Sequence, residues 1–282
     1  MELFNYKITS QNYQPVQFKT FRIILGMYLL LHFLFLLPYS TEMFSEEGIF
    51  AQPELNFTYG YFPDWLYQFD SAMQVKLFFF ILILASALFI TGRFRRIVSF
   101  ILWYGWVCLL NRNNLIINPG MPYIGWLLMA CVFIPEGENN SKSWSLPNWC
   151  LLGAWLIMSL GYFVSGLDKL NSPSWLNGDT FGILLDNPLS RDTILRDWSL
   201  HIPASILRGI TWLVLVIELI FLPLALFSKT RKYAWALMVG LHLSILCYIK
   251  FTDLTIGMLM IHVFTFDKNW LPVNNKLALS IK

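Results

Sequence analysis

The apolar residues of this chain lie in long runs, separated by polar segments that hold most of the charged residues. A helix needs about 20 mostly apolar residues to cross a bilayer. We interpret eight runs as spans, namely residues 23–37, 77–90, 97–110, 122–134, 149–167, 210–227, 233–249 and 252–266. The fourth is short and is entered and left at proline, so it is either a tilted span or a buried partial one. The pattern predicts an all-α integral membrane protein, a bundle of about eight transmembrane helices in a single domain over residues 1–282.

The composition agrees with this class and argues against two kinds of binding site. Hydrophobic residues make up 56% of the chain and charged residues 13%, which is outside the range of soluble globular domains. The net charge is only +3 and the basic residues lie in short clusters, so we expect a lipid bilayer and no nucleic acid as partner. The four cysteines lack the spacing of a metal site, and no metal is expected.

Clusters of lysine and arginine orient the predicted spans, because such clusters favour the cytoplasmic side. They lie in the N-terminal segment 1–20, at 93–96, at 229–232 and in the tail 268–282. Both termini are therefore predicted to be cytoplasmic. The connection 39–74, which we call the acidic connection because it holds six acidic residues and no basic one, then faces outward.

Segment 168–208 is predicted to face outward as well, as a lid on the membrane surface. Ser190 is expected to cap a short helix over 191–198 that has Ile194 and Trp198 on one side. In the acidic connection, the aromatic stretch 63–69 is typical of an element at headgroup depth.

Lys169 follows an uncharged run and is the first candidate for chemistry. On a helix, Tyr162, Ser165, Gly166 and Lys169 fall at i, i+3, i+4 and i+7, so the amine shares one face with a phenol, a hydroxyl and a gap left by glycine. A lysine held partly out of water can act as a base, whereas one that reaches the headgroups is only an anchor. Position alone leaves both interpretations open.

Other polar residues lie inside or at the ends of the spans, where insertion costs about 2.5 kcal/mol or more for a charged group. Glu218 and His242 lie near the predicted midplane, and each is either functional or a hydrogen-bonding link between helices. Arg112, with Asn114 beside it, ends the third run and is predicted either to grip an anionic or carbonyl group or to cap its helix. Because Arg112 and Lys169 end their runs on the same side, we expect a funnel that opens outward.

A family resemblance adds to this interpretation. The segment 162–170, Tyr-Phe-Val-Ser-Gly-Leu-Asp-Lys-Leu, followed by Trp-Leu-Asn-Gly at 175–178, resembles the signature of the HTTM membrane domain, the family that includes vitamin K-dependent gamma-carboxylase. Less specific similarities cover nearly the whole chain, at Arg22, Arg112-Asn113, Gly120, Glu218, Leu241-His242 and 264–271. The chain departs from the carboxylase pattern at Pro119-Gly120, in place of an asparagine-histidine pair, and at Asp168, in place of a second lysine.

The resemblance implies chemistry on a lipid-soluble quinol, because the matching lysine of the carboxylase deprotonates a vitamin K hydroquinone. The implied function is a carboxylase/epoxidase-like lyase or an oxidoreductase, with a vitamin K-type quinol as cofactor and Lys169 as the catalytic base. The expected ligand-binding residues are Tyr162, Arg112, Asn114, Trp175, Glu218 and His242. The carboxylase's large extramembrane domain does not follow the last span here, so gamma-carboxylation of a peptide by this chain alone is not expected.

A second hypothesis comes from the same resemblance. Small bacterial HTTM proteins resembling the sporulation-delaying toxin system are non-catalytic partners in the maturation or transport of a secreted peptide, together with a second membrane-associated protein. The bacterial inner membrane is then the expected location, and Glu218, His242 and His262 are structural or proton-coupled. A third interpretation is a lipid-binding bundle without chemistry, and whether the chain is an enzyme stays open.

Overall fold

The computed structural model describes residues 13–49, 52–56, 58–138 and 144–270. Over these residues the chain is helical, and its only extended pairing is an antiparallel bridge between Ser190 and Ile249. The α-helices are α1 (Pro15–Leu36), α2 (Ser40–Phe44), α3 (Ala72–Thr91), α4 (Arg95–Arg112), α5 (Met121–Phe133), α6 (Asn148–Leu170), α7 (Pro173–Leu176), α8 (Thr180–Leu185), α9 (Ile194–Leu200), α10 (Ala204–Leu226), α11 (Ser228–Tyr248) and α12 (Thr252–Thr265). Most of the predicted cytoplasmic segments 1–20 and 268–282 lies outside the described residues.

Four helical segments are long and apolar enough to cross a membrane, namely Pro15–Phe44, Ala72–Thr91, Asn148–Leu170 and Ala204–Leu226. Each of the eight predicted runs coincides with one helix. The four of these helices that are not among the candidate spans are either too short or carry charged residues near their start. Helices α5 and α12 are apolar but have only 13 and 14 residues. Helices α4 and α11 are longer and carry arginine or lysine in their first turns.

The helices pack as two compact units. The amino-terminal unit consists of the described residues of 15–144 together with 251–261. Within it α3 packs against α1, α2 and α4, and α4 packs against α5. Its core is rich in aromatic rings, of which Phe33, Phe79 and Trp106 are almost fully buried.

The carboxy-terminal unit consists of residues 145–250 with the described residues of 1–14 and 262–282. Helix α10 is its centre and packs against α6, α7, α8 and α11. Helix α6 continues to Leu170, so Lys169 lies in its last turn, and segment 168–208 begins inside that helix.

The rest of segment 168–208 folds as three short helices, α7 to α9, and the first residues of α10. One prediction made for this segment is wrong. Ser190 does not cap the amphipathic helix, because it pairs with Ile249 instead. Helix α9 begins four residues later at Ile194, and the side chain of Thr193 accepts from Arg196 N to cap it.

Candidate functional site

The predicted face of α6 is where α6 and α10 pack against each other. A Cβ placed on Gly166 would lie 2.9 Å from Leu219 Cδ2 and 3.3 Å from the Leu219 backbone nitrogen. The gap expected beside Gly166 is therefore filled by Leu219. A side chain at position 166 would force Leu219 to shift, so Gly166 allows α10 to approach α6 closely beside Glu218.

Lys169 and Glu218 form the ion pair at this contact. The Lys169 Nζ lies 2.5 Å from Glu218 Oε2, and it donates a second hydrogen bond of 2.7 Å to Ser165 Oγ. It also lies 5.0 Å from the centroid of the Trp175 ring, a distance typical of a cation–π contact. The side chains of Lys169 and Glu218 are 18% and 10% exposed, so the pair is mostly buried but remains partly accessible.

Tyr162, two turns earlier on α6, joins two buried histidines. Its phenol oxygen lies 2.6 Å from His242 Nε2 and 2.7 Å from His262 Nε2. Since a phenol has a single proton, at least one imidazole must carry its proton on Nε2 and donate to Tyr162. The Nδ1 atoms of both rings have no hydrogen-bond partner among the described residues.

These two groups lie along one face of α6, and we call them together the lysine cluster: Tyr162, Ser165, Lys169, Trp175, Glu218, His242 and His262. Its hydrogen bonds run between side chains, on α6, α10, α11 and the end of α12. Within each of the two groups a proton can pass between neighbouring side chains along a hydrogen bond without moving the backbone.

The structure places five of the seven predicted site residues in the lysine cluster: Lys169 contacts Glu218 and Trp175, and Tyr162 contacts His242. Arg112 and Asn114 belong to the amino-terminal unit and have partners there. Arg112 is fully buried and donates to the Ser45 carbonyl oxygen at 2.9 Å, with Asp70 Oδ2 at 3.5 Å. Asn114 Nδ2 lies 3.5 Å from Asn56 Oδ1. These contacts tie the acidic connection to the end of α4.

Sequence reasoning did not select two further groups. From the sequence His262 is only structural or proton-coupled, and nothing in its spacing shows that it shares a phenol with His242. In the amino-terminal unit, Asp253 accepts hydrogen bonds from Tyr28 at 2.6 Å and Asn118 at 3.2 Å, and pairs with His32 at 2.9 Å. The i, i+4 spacing of Tyr28 and His32 on α1 was the available signal for this second cluster.

Within the described residues, no group of three or more His, Cys, Asp or Glu side chains is placed to hold a metal ion. No family model matches the chain, and no curated protein or solved structure matches it either. The geometry of the lysine cluster and the sequence motif around Lys169 are therefore the basis for any functional conclusion.

Proposed function

We propose that this chain is a multi-pass protein of the bacterial inner membrane, with about eight spans, both termini in the cytoplasm and segment 168–208 as an outward-facing lid. Four helices of sufficient length and hydropathy support this placement. The exposed apolar side chains of α9 support the lid, since Ile194 and Trp198 are each 74% exposed and suit a headgroup layer.

Within that membrane protein, we propose that Lys169 is a general base that takes a proton from the hydroxyl of a lipid-soluble quinol. The observation that carries this proposal is the Lys169–Glu218 pair, an amine and a carboxylate 2.5 Å apart and only partly exposed. The Lys169–Glu218 hydrogen bond gives the ammonium proton a route to Glu218, and its transfer leaves a neutral amine. The amine then accepts the proton of the bound hydroxyl, so that the net transfer is from the hydroxyl to Glu218.

The neighbouring residues suit a flat, hydroxylated ligand. Trp175 offers an aromatic face beside the amine, and Ser165 offers a hydroxyl that already bonds to Nζ. Tyr162 and His242 would orient the ring through the phenol–imidazole hydrogen bond. When bound, the quinol supplies an acidic hydroxyl and a reducing ring. The reaction class, a carboxylase/epoxidase-like lyase or an oxidoreductase, follows from the resemblance to the HTTM family.

The test uses the purified chain in lipid vesicles with a vitamin K-type hydroquinone. Binding and deprotonation of the hydroquinone are measured by the change in its absorbance. Lys169→Met should remove the spectral change and weaken binding at least about tenfold, because the acceptor for the proton is lost. Lys229→Met, which removes an exposed lysine of the same unit, is the matched control and should behave like the native chain.

Lys169→Met alone leaves Glu218 without its cation, so the double variant Lys169→Met/Glu218→Gln checks folding separately. If that double variant melts like the native chain and still deprotonates the quinol, Lys169 is not the base.

The alternative is a non-catalytic partner of a secreted peptide, acting with a second membrane-associated protein. The exposed Ile194 and Trp198 of α9 favour it, because they offer an apolar face to an amphipathic peptide. A co-purifying peptide whose binding survives Lys169→Met but is lost in the double variant Ile194→Ser/Trp198→Ser would support this alternative over the proposal that Lys169 is a base.

A further inference from the structure

A groove of about 350 Å³ opens on the surface of the amino-terminal unit between α3 and α4. Its walls include Leu77 and Ile81 of α3, Ile101 and Tyr104 of α4, and Trp65 and Phe69 of the acidic connection. No ionisable carboxylate, amine or imidazole lines it. A volume of this size lies at the lower end of the range for ligand sites.

The groove is built into the packing of the two helices. A Cβ on Gly105 would lie 2.3 Å from Leu82 Cδ2, so α4 meets α3 closely at Leu82, which also lines the groove. At the other end, the rings of Trp65 and Phe69 stack with centroids 4.3 Å apart. The Tyr104 hydroxyl donates to the Pro63 carbonyl oxygen, so its polar atom is already satisfied.

The lining has two polar side chains, Tyr104 and Gln74, of which Gln74 Oε1 already accepts from Ser71 Oγ at 2.7 Å, and it offers no opposite charge to a charged ligand, whose burial without partners is costly. An extended hydrocarbon chain meets no such cost. Leu77 and Ile81 are 60% and 48% exposed, and α3 is one of the helices apolar enough to cross a membrane. A hydrocarbon chain in contact with them therefore comes from the surrounding lipid.

The charges beside the groove distinguish between lipids. The Glu46 backbone N–H donates to the Asp70 carbonyl oxygen at 2.9 Å, which places Glu46 next to the Phe69 end of the groove. Glu46 and Glu47 are exposed and the acidic connection contains no basic residue, whereas Lys76, next to Leu77 on α3, is exposed and basic. A headgroup that carries an ammonium and a phosphate can meet both signs of charge, whereas a headgroup with a phosphate alone is repelled by the two carboxylates.

We propose that the groove between α3 and α4 binds one acyl chain of a zwitterionic, ethanolamine-type phospholipid whose ammonium faces Glu46 and Glu47. This inference rests on the proposed membrane placement and is independent of any chemistry at Lys169.

The experiment is native mass spectrometry of the full chain, purified in mild detergent and supplied with equal amounts of phosphatidylethanolamine and phosphatidylglycerol of identical acyl chains. The native chain should retain one phosphatidylethanolamine, with at least about a fivefold preference over phosphatidylglycerol. Leu77→Trp fills the groove and should reduce retention about tenfold. Leu84→Trp is the matched control, because Leu84 is equally exposed on α3, at 62%, and does not line the groove.

Glu46→Gln/Glu47→Gln should keep the lipid but remove most of the preference between headgroups. Equal retention by Leu77→Trp and Leu84→Trp, or equal retention of both lipids by the native chain, overturns the proposal. Carbonate extraction tests the membrane placement separately from lipid binding in the groove. A chain released from membranes by carbonate contradicts the membrane placement, whereas a chain that stays in the membrane but retains no lipid contradicts the groove alone.

Discussion

The buried arginines of the amino-terminal unit and Lys169 of the carboxy-terminal unit are held by different kinds of partner. In the amino-terminal unit, the side chains of Arg22 and Arg95 are each 1% exposed, and both lie 3.5 Å from Glu138 through Nε. Their other partners are backbone carbonyls, those of Phe89 and Ile90 for Arg22 and those of Cys131, Ile134 and Pro135 for Arg95. In the carboxy-terminal unit, Lys169 is partly exposed and bonds only to side chains.

The difference follows from the chemistry of the two cations. The last carbonyls of a helix have no partner within it and carry partial negative charge, and the five donors of a guanidinium can satisfy several of them at once. Arginine stays charged in proteins, so Arg22 and Arg95 hold the ends of α3 and α5 permanently. Lysine can lose its proton when it is withdrawn from water, and side-chain partners can rearrange. The arginines are therefore structural, whereas the proposed function requires the lysine cluster to exchange protons.

The largest effect is expected from Arg95→Met. This substitution removes the Arg95 donors from the Cys131, Ile134 and Pro135 carbonyls, of which Pro135 keeps Trp144 Nε1 at 2.8 Å, and it leaves Glu138 with one cation instead of two. We expect a loss of about 3–5 kcal/mol in the free energy of unfolding, measured by thermal or denaturant unfolding in detergent. Arg93→Met, which removes an exposed arginine just before α4, should cost less than about 0.5 kcal/mol. A similar melting temperature for both variants would contradict a structural role for Arg95.

Asp64 tests the buried charge of the amino-terminal unit through the pH dependence of its stability. Burial raises the pKa of this carboxyl from 3.8 to about 6, although its oxygen accepts a hydrogen bond from Leu66 N. The folded chain then keeps a proton that the unfolded chain has lost, so stability is full below pH 4 and falls as the pH rises to 6. The loss amounts to at most about 3 kcal/mol.

Asp64→Asn should remove this fall, so that the variant gains on the native chain between pH 4 and pH 7 in detergent melts. Glu54→Gln, an exposed carboxylate of the same connection, should leave the pH profile unchanged. A native profile that rises across this window would show that Asp64 is stabilised as a carboxylate.

The smallest effect is expected from Tyr162→Phe in the lysine cluster. The variant loses the phenol that both His242 and His262 contact, and it leaves imidazole nitrogens buried without that partner. We expect a cost of about 2 kcal/mol, below that of Arg95→Met, because the side chains of this cluster can form new hydrogen bonds. Tyr233→Phe, in which the replaced ring is 59% exposed, is the control. A cost above that of Arg95→Met would reverse the ranking of the two units.

The sequence predicted the helices better than the partners of their polar side chains. Each apolar run lies on a helix, because run length and hydropathy are local properties of the chain. The predicted cap of α9 was wrong, because Ser190 pairs instead with Ile249, which is distant in sequence. The same limit applies to Arg112, whose partners Ser45 and Asp70 come from a long connection without periodicity.

The face shared by Tyr162, Ser165 and Lys169 is determined by the sequence alone, because residues three, four and seven apart on a helix lie on one side. What this face meets was decided by tertiary structure. Gly166 admits Leu219 and so brings Glu218 to the amine, and two histidines from different helices reach the same phenol. The sequence shows how far along a span each polar residue lies, but not how the helices are rotated or which of them are neighbours, and those two properties decide which side chains meet.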